Sequence, residues 1–252
     1  DALINQWGSF GDEPGLLYAP FSIEFDNSGN LWVLSTEHNI QVFTPEGEYL
    51  RSYGIRADAP GQFRTPFDIL VSKSGIVYVA DSNNNRIQAF DKNGTFLFEW
   101  ILENGWARAI SEDSNGIIYV TLTDKICKYD ANGLRECWGV AGTEPGQFEN
   151  LVDVVVQTVT LGSETEELVY TIEYAKRIQI FKTDGTHVTT FNIEDYLTGL
   201  AVDSSGVIFA LNWQGDKIYK YNTYGSKLAE TTLMGYYASA IGFGPDGYLY
   251  LA

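Results

Sequence analysis

Asp68 and Asp153 each stand just before a short aliphatic run, Ile69 to Val71 and Val154 to Val156, and Arg108 stands two residues before Ile110. Brought to one place, two carboxylates and a guanidinium offer two chemistries. The carboxylate oxygens can hold a hard cation such as calcium, or the acids stay solvated with one of them paired to Arg108, and solvation is the simpler expectation. Cofactors are therefore set at none, with calcium as the alternative. The chain has only two histidines, His38 and His187, and both read as surface residues. No Ser-His-Asp set, phosphate-cradling glycine loop or activated cysteine can be argued.

The remaining candidates are cysteines, a sequon and exposed-type aromatics. Counting outward from the turn Ala131-Asn132-Gly133 sets Cys127 opposite Cys137 across a hairpin, in the narrow kind of antiparallel pair. Such a pair has Cα atoms about 4.5 Å apart, at the short end of the disulfide range. A structural disulfide is expected ahead of two free thiols; a redox or metal role is weaker, because no C-x-x-C spacing exists and no His lies nearby. Asn93-Gly94-Thr95 is an N-glycosylation acceptor at a hairpin tip, although Asn-Gly is also what such a turn needs sterically. Trp106, Trp213 and Tyr236, the last beside Tyr237, fall in loops that can share one face. They are candidates for a protein- or glycan-binding platform, with packing between structural units as the equal alternative.

Composition narrows the partners. In 252 residues, 33 acidic side chains face 16 basic ones, a formal charge of −17, and the isoelectric point is near 4.3. Nucleic-acid binding is excluded on this balance, because phosphate contacts need clustered Lys and Arg. Anionic membrane surfaces would repel the chain, and its longest apolar runs are far below the roughly 20 residues needed to span a bilayer as a helix. Hydrophobic residues at 44% and aromatics at 14% are enough for a full core. The acidic surface, the cysteine pair and the sequon together point to an extracellular or cell-surface location.

The elements that must position these residues are repeats. Ile followed three residues later by an aromatic occurs at Ile40–Phe43, Ile87–Phe90, Ile126–Tyr129, Ile178–Phe181 and Ile218–Tyr221, each followed by a polar turn ending in Gly. A second set of turns, among them Asn27-Ser28-Gly29 and Lys73-Ser74-Gly75, precedes β-rich runs upstream. Each unit of about 40 to 50 residues thus holds four strands, the regime of propeller blades. An acidic insertion at 160–167 is expected as a solvated loop on the face opposite the candidate site.

The motifs Pro60-Gly61-Gln62-Phe63, Pro66 to Ile69, Ile76 to Asp81 and Asn85 to Asp91 closely resemble an NHL repeat, and Pro145-Gly146-Gln147-Phe148 restates its opening. The resemblance runs over almost the whole chain. It implies a single all-β domain over residues 1–252: a six-bladed β-propeller of four-stranded antiparallel blades. The stretch Ala2 to Gly8 matches outer strands elsewhere, so residues 1–8 are expected to be the outer strand of blade six and to close the ring. That blade then lacks its third strand, which either reflects a shortened chain or leaves room for self-assembly by strand addition. Asp81 and Arg86 belong to the repeat signature and are expected to brace their own loop.

Known enzymes on similar propellers set the functional expectation. Amidating lyases with NHL-like blades use several His ligands for zinc, which this chain lacks. Lactonase-like propellers hold calcium with Glu, Asn and Asp near the channel, of which only Asp68 and Asp153 match. The expectation is therefore a non-catalytic extracellular module binding protein or glycan, with Asp68, Asp153, Arg108, Trp106, Trp213 and Tyr236 at the binding face. The alternatives are a calcium-dependent hydrolase or lyase at the central channel, and a subunit of a surface layer or filament.

Overall fold

The computed structural model describes residues 6–11, 13–35, 39–103, 105–174 and 176–252. Blade one is β1 (Pro20–Phe25), β2 (Leu31–Ser35), β3 (Ile40–Phe43) and β4 (Tyr49–Tyr53). Blade two is β5 (Pro66–Val71), β6 (Val77–Asp81), β7 (Arg86–Phe90) and β8 (Phe96–Ile101), and blade three β9 (Ile110–Glu112), β10 (Ile118–Thr121), β11 (Ile126–Asp130) and β12 (Gly133–Trp138). Blade four is β13 (Leu151–Leu161), β14 (Glu164–Glu173), β15 (Arg177–Lys182) and β16 (His187–Asn192), and blade five β17 (Leu197–Val202), β18 (Ile208–Asn212), β19 (Lys217–Tyr221) and β20 (Lys227–Thr232). A two-stranded sheet of β21 (Ile241–Phe243) and β22 (Leu249–Leu251) follows. Every pairing within a sheet is antiparallel between strands consecutive in sequence.

The first strands of the six sheets pack side by side around a central channel, and β21 packs back onto β1. A β-propeller results, but the expected six four-stranded blades are corrected to five, with the two-stranded sheet filling the remaining sector. The Ile-x-x-aromatic element that makes a third strand occurs five times, once in each four-stranded blade. The expected strand from the N-terminal stretch is not formed by residues 6–8, which are irregular; residues 2–5 lie outside the described residues. Trp7 instead packs its ring 5.1 Å from that of Phe43, in the apolar cluster that joins blade one to the two-stranded sheet.

Alternating aliphatic residues put a separate core cluster at each interface between neighbouring sheets. The polar turns do as expected: Gly94 has φ of +81°, and a Cβ there would lie 2.7 Å from the Tyr53 ring of the preceding blade. The acidic insertion is not a loop. It extends the β13–β14 hairpin in register out to Leu161↔Glu164, and Glu167 accepts hydrogen bonds from Ser114 of blade three.

The loops leading into blades one, two and four share one construction, each closed by a parallel bridge: Phe10↔Leu17, Arg56↔Phe63, Ala141↔Phe148. Phe63 and Phe148 of the two Pro-Gly-Gln-Phe motifs are buried pegs. Behind each sits a clasp. Arg86 pairs with Asp81 (2.7 Å) and Glu99 (2.9 Å) and donates to the carbonyls of Ala59 and Gln62. Arg177 pairs with Glu173 (2.8 Å) and donates to the carbonyls of Gly142, Thr143 and Gln147. Gln88 and Gln179 complete the clasps by exchanging hydrogen bonds with the same loops. The expected bracing role of Asp81 and Arg86 is thus seen directly.

Candidate active site at the channel mouth

The inner strands carry a register shift at the same point in four blades, between Pro20 and Ser22, Pro66 and Asp68, Leu151 and Asp153, and Leu197 and Gly199. A bulge there re-aims the next side chain, so Ser22, Asp68, Asp153 and Gly199 line the channel with Ala109 and Ala240. The cavity they help enclose is about 400 Å³. We call the face on which the inner strands begin the upper face; the loops between second and third strands open on it too.

Asp68 joins three blades and Asp153 joins two. Asp68 accepts from its neighbour Ile69 N–H (2.9 Å), from Ser22 Oγ of blade one (2.5 Å), and from Ile110 N–H of blade three (2.7 Å). Asp153 accepts from Val154 N–H (2.7 Å) and from Leu200 N–H of blade five (2.8 Å). Inner strands have an unpaired edge on the channel, and these carboxylates supply acceptors for it. Burial in the narrow channel raises both pKa values: Asp68 to about 6, against the pull of its donors, and Asp153 to about 8, helped by the charge of Asp68 and opposed by Leu200, Val154 and Arg108. Glu24, deeper in the channel, is also pushed up to about 8, first by burial and then by Asp68 and Glu112. It escaped the sequence reading, although its position two residues after Ser22 places it on the same strand face.

Arg108 lies 5.4 Å from the Phe67 ring centroid, and Phe67 in turn packs 5.2 Å from Phe21. Its own pKa is lowered by burial and held up by the nearby charges of Asp153 and Tyr174; no ion pair to Arg108 occurs among the described residues. Tyr174 connects the channel mouth to an aromatic cluster, with ring centroids 5.0 Å from Tyr196 and 6.3 Å from Trp213. The three rings are 48%, 41% and 56% exposed. Lys176 Nζ lies 4.2 Å from the Tyr196 centroid. Of the sequence candidates, the structure therefore gathers Asp68, Asp153 and Arg108 around the cavity, while Trp213 belongs to the aromatic cluster around Tyr174. Trp106 and Tyr236 are exposed on the same face but make no ring pair among the described residues. Tyr174 and Trp213 each follow directly on a second strand, Glu173 and Asn212 being the last strand residues. Aligning that loop across the repeats would have found Tyr174.

No group of three or more His, Cys, Asp or Glu able to hold a metal occurs among the described residues. Asp68 and Asp153 direct both carboxylate oxygens at N–H and O–H donors. His187 lies on the outer strand β16, bonded to Thr190 (2.7 Å) and packed on Phe181; His38 lies outside the described residues. The Cys127–Cys137 disulfide is present, across the pair Cys127↔Cys137 with Cα atoms 4.0 Å apart. Asn93 is exposed at the β7–β8 turn. Among the described residues no helix is long and apolar enough to cross a membrane.

A family model for the NHL repeat matches residues 63–90, so the chain is a β-propeller that carries an NHL repeat. Comparison with curated proteins finds no match. Among solved structures it resembles a streptogramin B lyase, at 17% identity and a TM-score of 0.68, over 93% of this chain and 90% of that one. It also resembles virginiamycin B lyase from Staphylococcus aureus, at 19% identity and 0.68, over 93% and 77%. A catalytically inactive histidine-to-alanine variant of that enzyme with quinupristin superposes at 19% identity and 0.67, over the same shares. At these identities the likeness is one of fold. The expected non-catalytic module is nonetheless corrected: the propellers that this chain resembles are lyases, so the alternative of a hydrolase or lyase at the channel is the better supported one.

Proposed function

We propose that the chain is an enzyme, a metal-independent hydrolase or lyase working at the upper mouth of the central channel. The observation that carries this is the meeting in a single cavity of two carboxyl groups with displaced pKa values and one guanidinium that has no ion pair among the described residues. Two acids held at different protonation states supply an acid and a base at the same pH. Near pH 7, Asp153 carries a proton and can donate it to a leaving oxygen, while Asp68 is mostly ionised and can accept one from the reacting carbon or a water. Arg108 stabilises negative charge that develops on a carbonyl or carboxylate. The structurally similar lyase is inactive as a histidine-to-alanine variant; here His187 is on an outer strand and His38 lies outside the described residues, and the reading assigns the chemistry to the carboxyl groups that the cavity brings together.

The disulfide supports secretion as the finer reading of location, with Asn93 as a site for a glycan if the chain passes through a glycosylating compartment. Activity is tested with a panel of carboxylic esters, lactones and the depsipeptide quinupristin. Asp153→Asn is expected to lower kcat by about a hundredfold or more. Absence of turnover across the panel, or full activity in Asp153→Asn, removes the catalytic reading.

A further inference from the structure

Arg108 is a cation on a −17 chain, and among the described residues it has no ion pair, although it lines the channel cavity. Its guanidinium carbon lies over the Phe67 ring, 5.4 Å from the centroid, a contact that uses the cation without using its N–H donors. Tyr174, near enough to Arg108 to act on it electrostatically, begins a wall of three partly exposed rings from two blades, with Tyr196 tilted and Trp213 edge-on against it. These loops are ordered by backbone bonds, Tyr174 N–H to Asn150 O and Trp213 N–H to Tyr196 O. Rings held this way present apolar faces at little further loss of side-chain freedom. A second cation, Lys176, covers one side of Tyr196.

An apolar wall beside a planar cation matches one kind of molecule. We propose that the mouth recognises a small ring-bearing monocarboxylate: the carboxylate pairs with Arg108 and the flat face of the ring lies on the Tyr174–Tyr196–Trp213 wall. The single carboxylate is required by charge, since the acidic surface of the chain repels a polyanion while one guanidinium satisfies one carboxylate through two parallel hydrogen bonds. Both an aryl acid and a uronic acid offer this chemistry, the first with an aromatic face and the second with the C–H face of a sugar. The inference rests on the channel mouth being a substrate site and names what enters it.

The test reads binding rather than turnover. Phenylacetate and glucuronate are titrated into the whole chain by calorimetry and tryptophan fluorescence, beside their neutral partners phenylacetamide and glucose. At least one carboxylate is expected to bind about tenfold or more tightly than its neutral partner. Arg108→Gln should abolish that margin, Arg108→Lys should restore only part of it, and Trp213→Ala should weaken the carboxylate and remove its fluorescence signal. Which carboxylate prefers the site decides between the aryl and the sugar face. Equal binding of the neutral partner, a margin that survives Arg108→Gln, or no saturation by either carboxylate overturns the proposal. Should Arg108→Gln fail to fold, the exposed-side variants Trp213→Ala and Tyr196→Ala carry the test. A carboxylate that binds without turnover leaves this inference standing and removes the catalytic one; turnover across the panel with no preference for carboxylates does the reverse.

Discussion

Two sets of acid and arginine occupy this propeller, and they are used in opposite ways. In the clasps of blades two and four, Asp81–Arg86 and Glu173–Arg177 are almost completely buried, with side-chain exposures of 0% and 6% in each pair, and the guanidinium bonds with loop carbonyls as well. At the channel mouth, Asp68 and Asp153 are bound by neutral donors from the adjoining blades, and Arg108 lies on an aromatic face without an ion pair. The first set fixes loops; the second leaves charge and protons open to a ligand. Residue type does not separate them, but the number of partners does.

The comparison also runs between blades. The residue after the signature Ile ties each blade to the loop that leads into it: Gln41 to Gly15 and Leu16, Gln88 to Gly61 and Gln62, Gln179 to Gly146 and Gln147, and Tyr219 to Asp195. In blade three that position is Cys127, and the tie is a disulfide to the outer strand.

The largest effect is expected where a clasp is broken on one side only. Arg177→Met leaves Glu173 buried without its partner, a loss of about 3–5 kcal/mol, or on the order of 10 °C in Tm for a chain of this size. The double variant Glu173→Leu with Arg177→Met should regain much of it, because the uncompensated charge is gone. Thermal unfolding of the three proteins measures both. A wild-type Tm in Arg177→Met would erase the distinction between the two sets. Next comes blade three. Cys127→Ser with Cys137→Ser opens a loop of ten residues, and loop entropy puts the loss at about 2–3 kcal/mol, read by urea unfolding under oxidising conditions.

The channel acids act through pH. Asp68, Asp153 and Glu24 have folded pKa values raised to about 6, 8 and 8 from ordinary values near 4. The folded state therefore holds more protons than the unfolded one between about pH 4 and pH 8. Their contribution to stability is present in full below pH 4 and is lost as pH rises through this window, by at most about 1.4 kcal/mol per pH unit for each group. Asp26, held below its ordinary pKa by Asn30, Ser28 and Trp32 against the opposing effect of burial, works the other way and loses its contribution in acid. A stability maximum on the acid side of neutrality follows, measured as urea midpoint against pH. Glu24→Gln and Asp153→Asn should each flatten the decline between pH 5 and pH 8.

Much of this frame could be read from the residues. The five Ile-x-x-aromatic elements located every third strand, the turn count gave the register Cys127↔Cys137, and the Pro-Gly-Gln-Phe motifs marked the loops that the clasps hold. Asp68, Asp153 and Arg108 were found because inner strands repeat in phase. What could not be read is depth. Nothing local distinguishes Glu24 from the other acids, because its displaced pKa comes from strands of different blades brought around one channel. Tyr174 and Tyr196 look like loop aromatics until blades four and five are set side by side. The sixth four-stranded blade was read from a matching N-terminal pattern, yet residues 6–8 pack by Trp7 rather than by a strand ladder.

The smallest expected effect on stability is also the sharpest discriminator. Among the described residues Arg108 has no ion pair to lose, and what it faces is the Phe67 ring and the more distant carboxyl group of Asp153. Arg108→Gln should therefore change stability by no more than about 1 kcal/mol, far less than Arg177→Met. Its electrostatic effect runs the opposite way to its small structural one: the positive charge of Arg108 holds the Asp153 pKa down, so its removal should move that pKa further up. Carboxyl carbon NMR titration of Asp153 reads the shift directly. An upward move with Tm nearly unchanged places Arg108 in the set whose charge is left open to a ligand. An unmoved titration with a large fall in Tm would instead make Arg108 another clasp, and the contrast between the two sets would fail at its central residue.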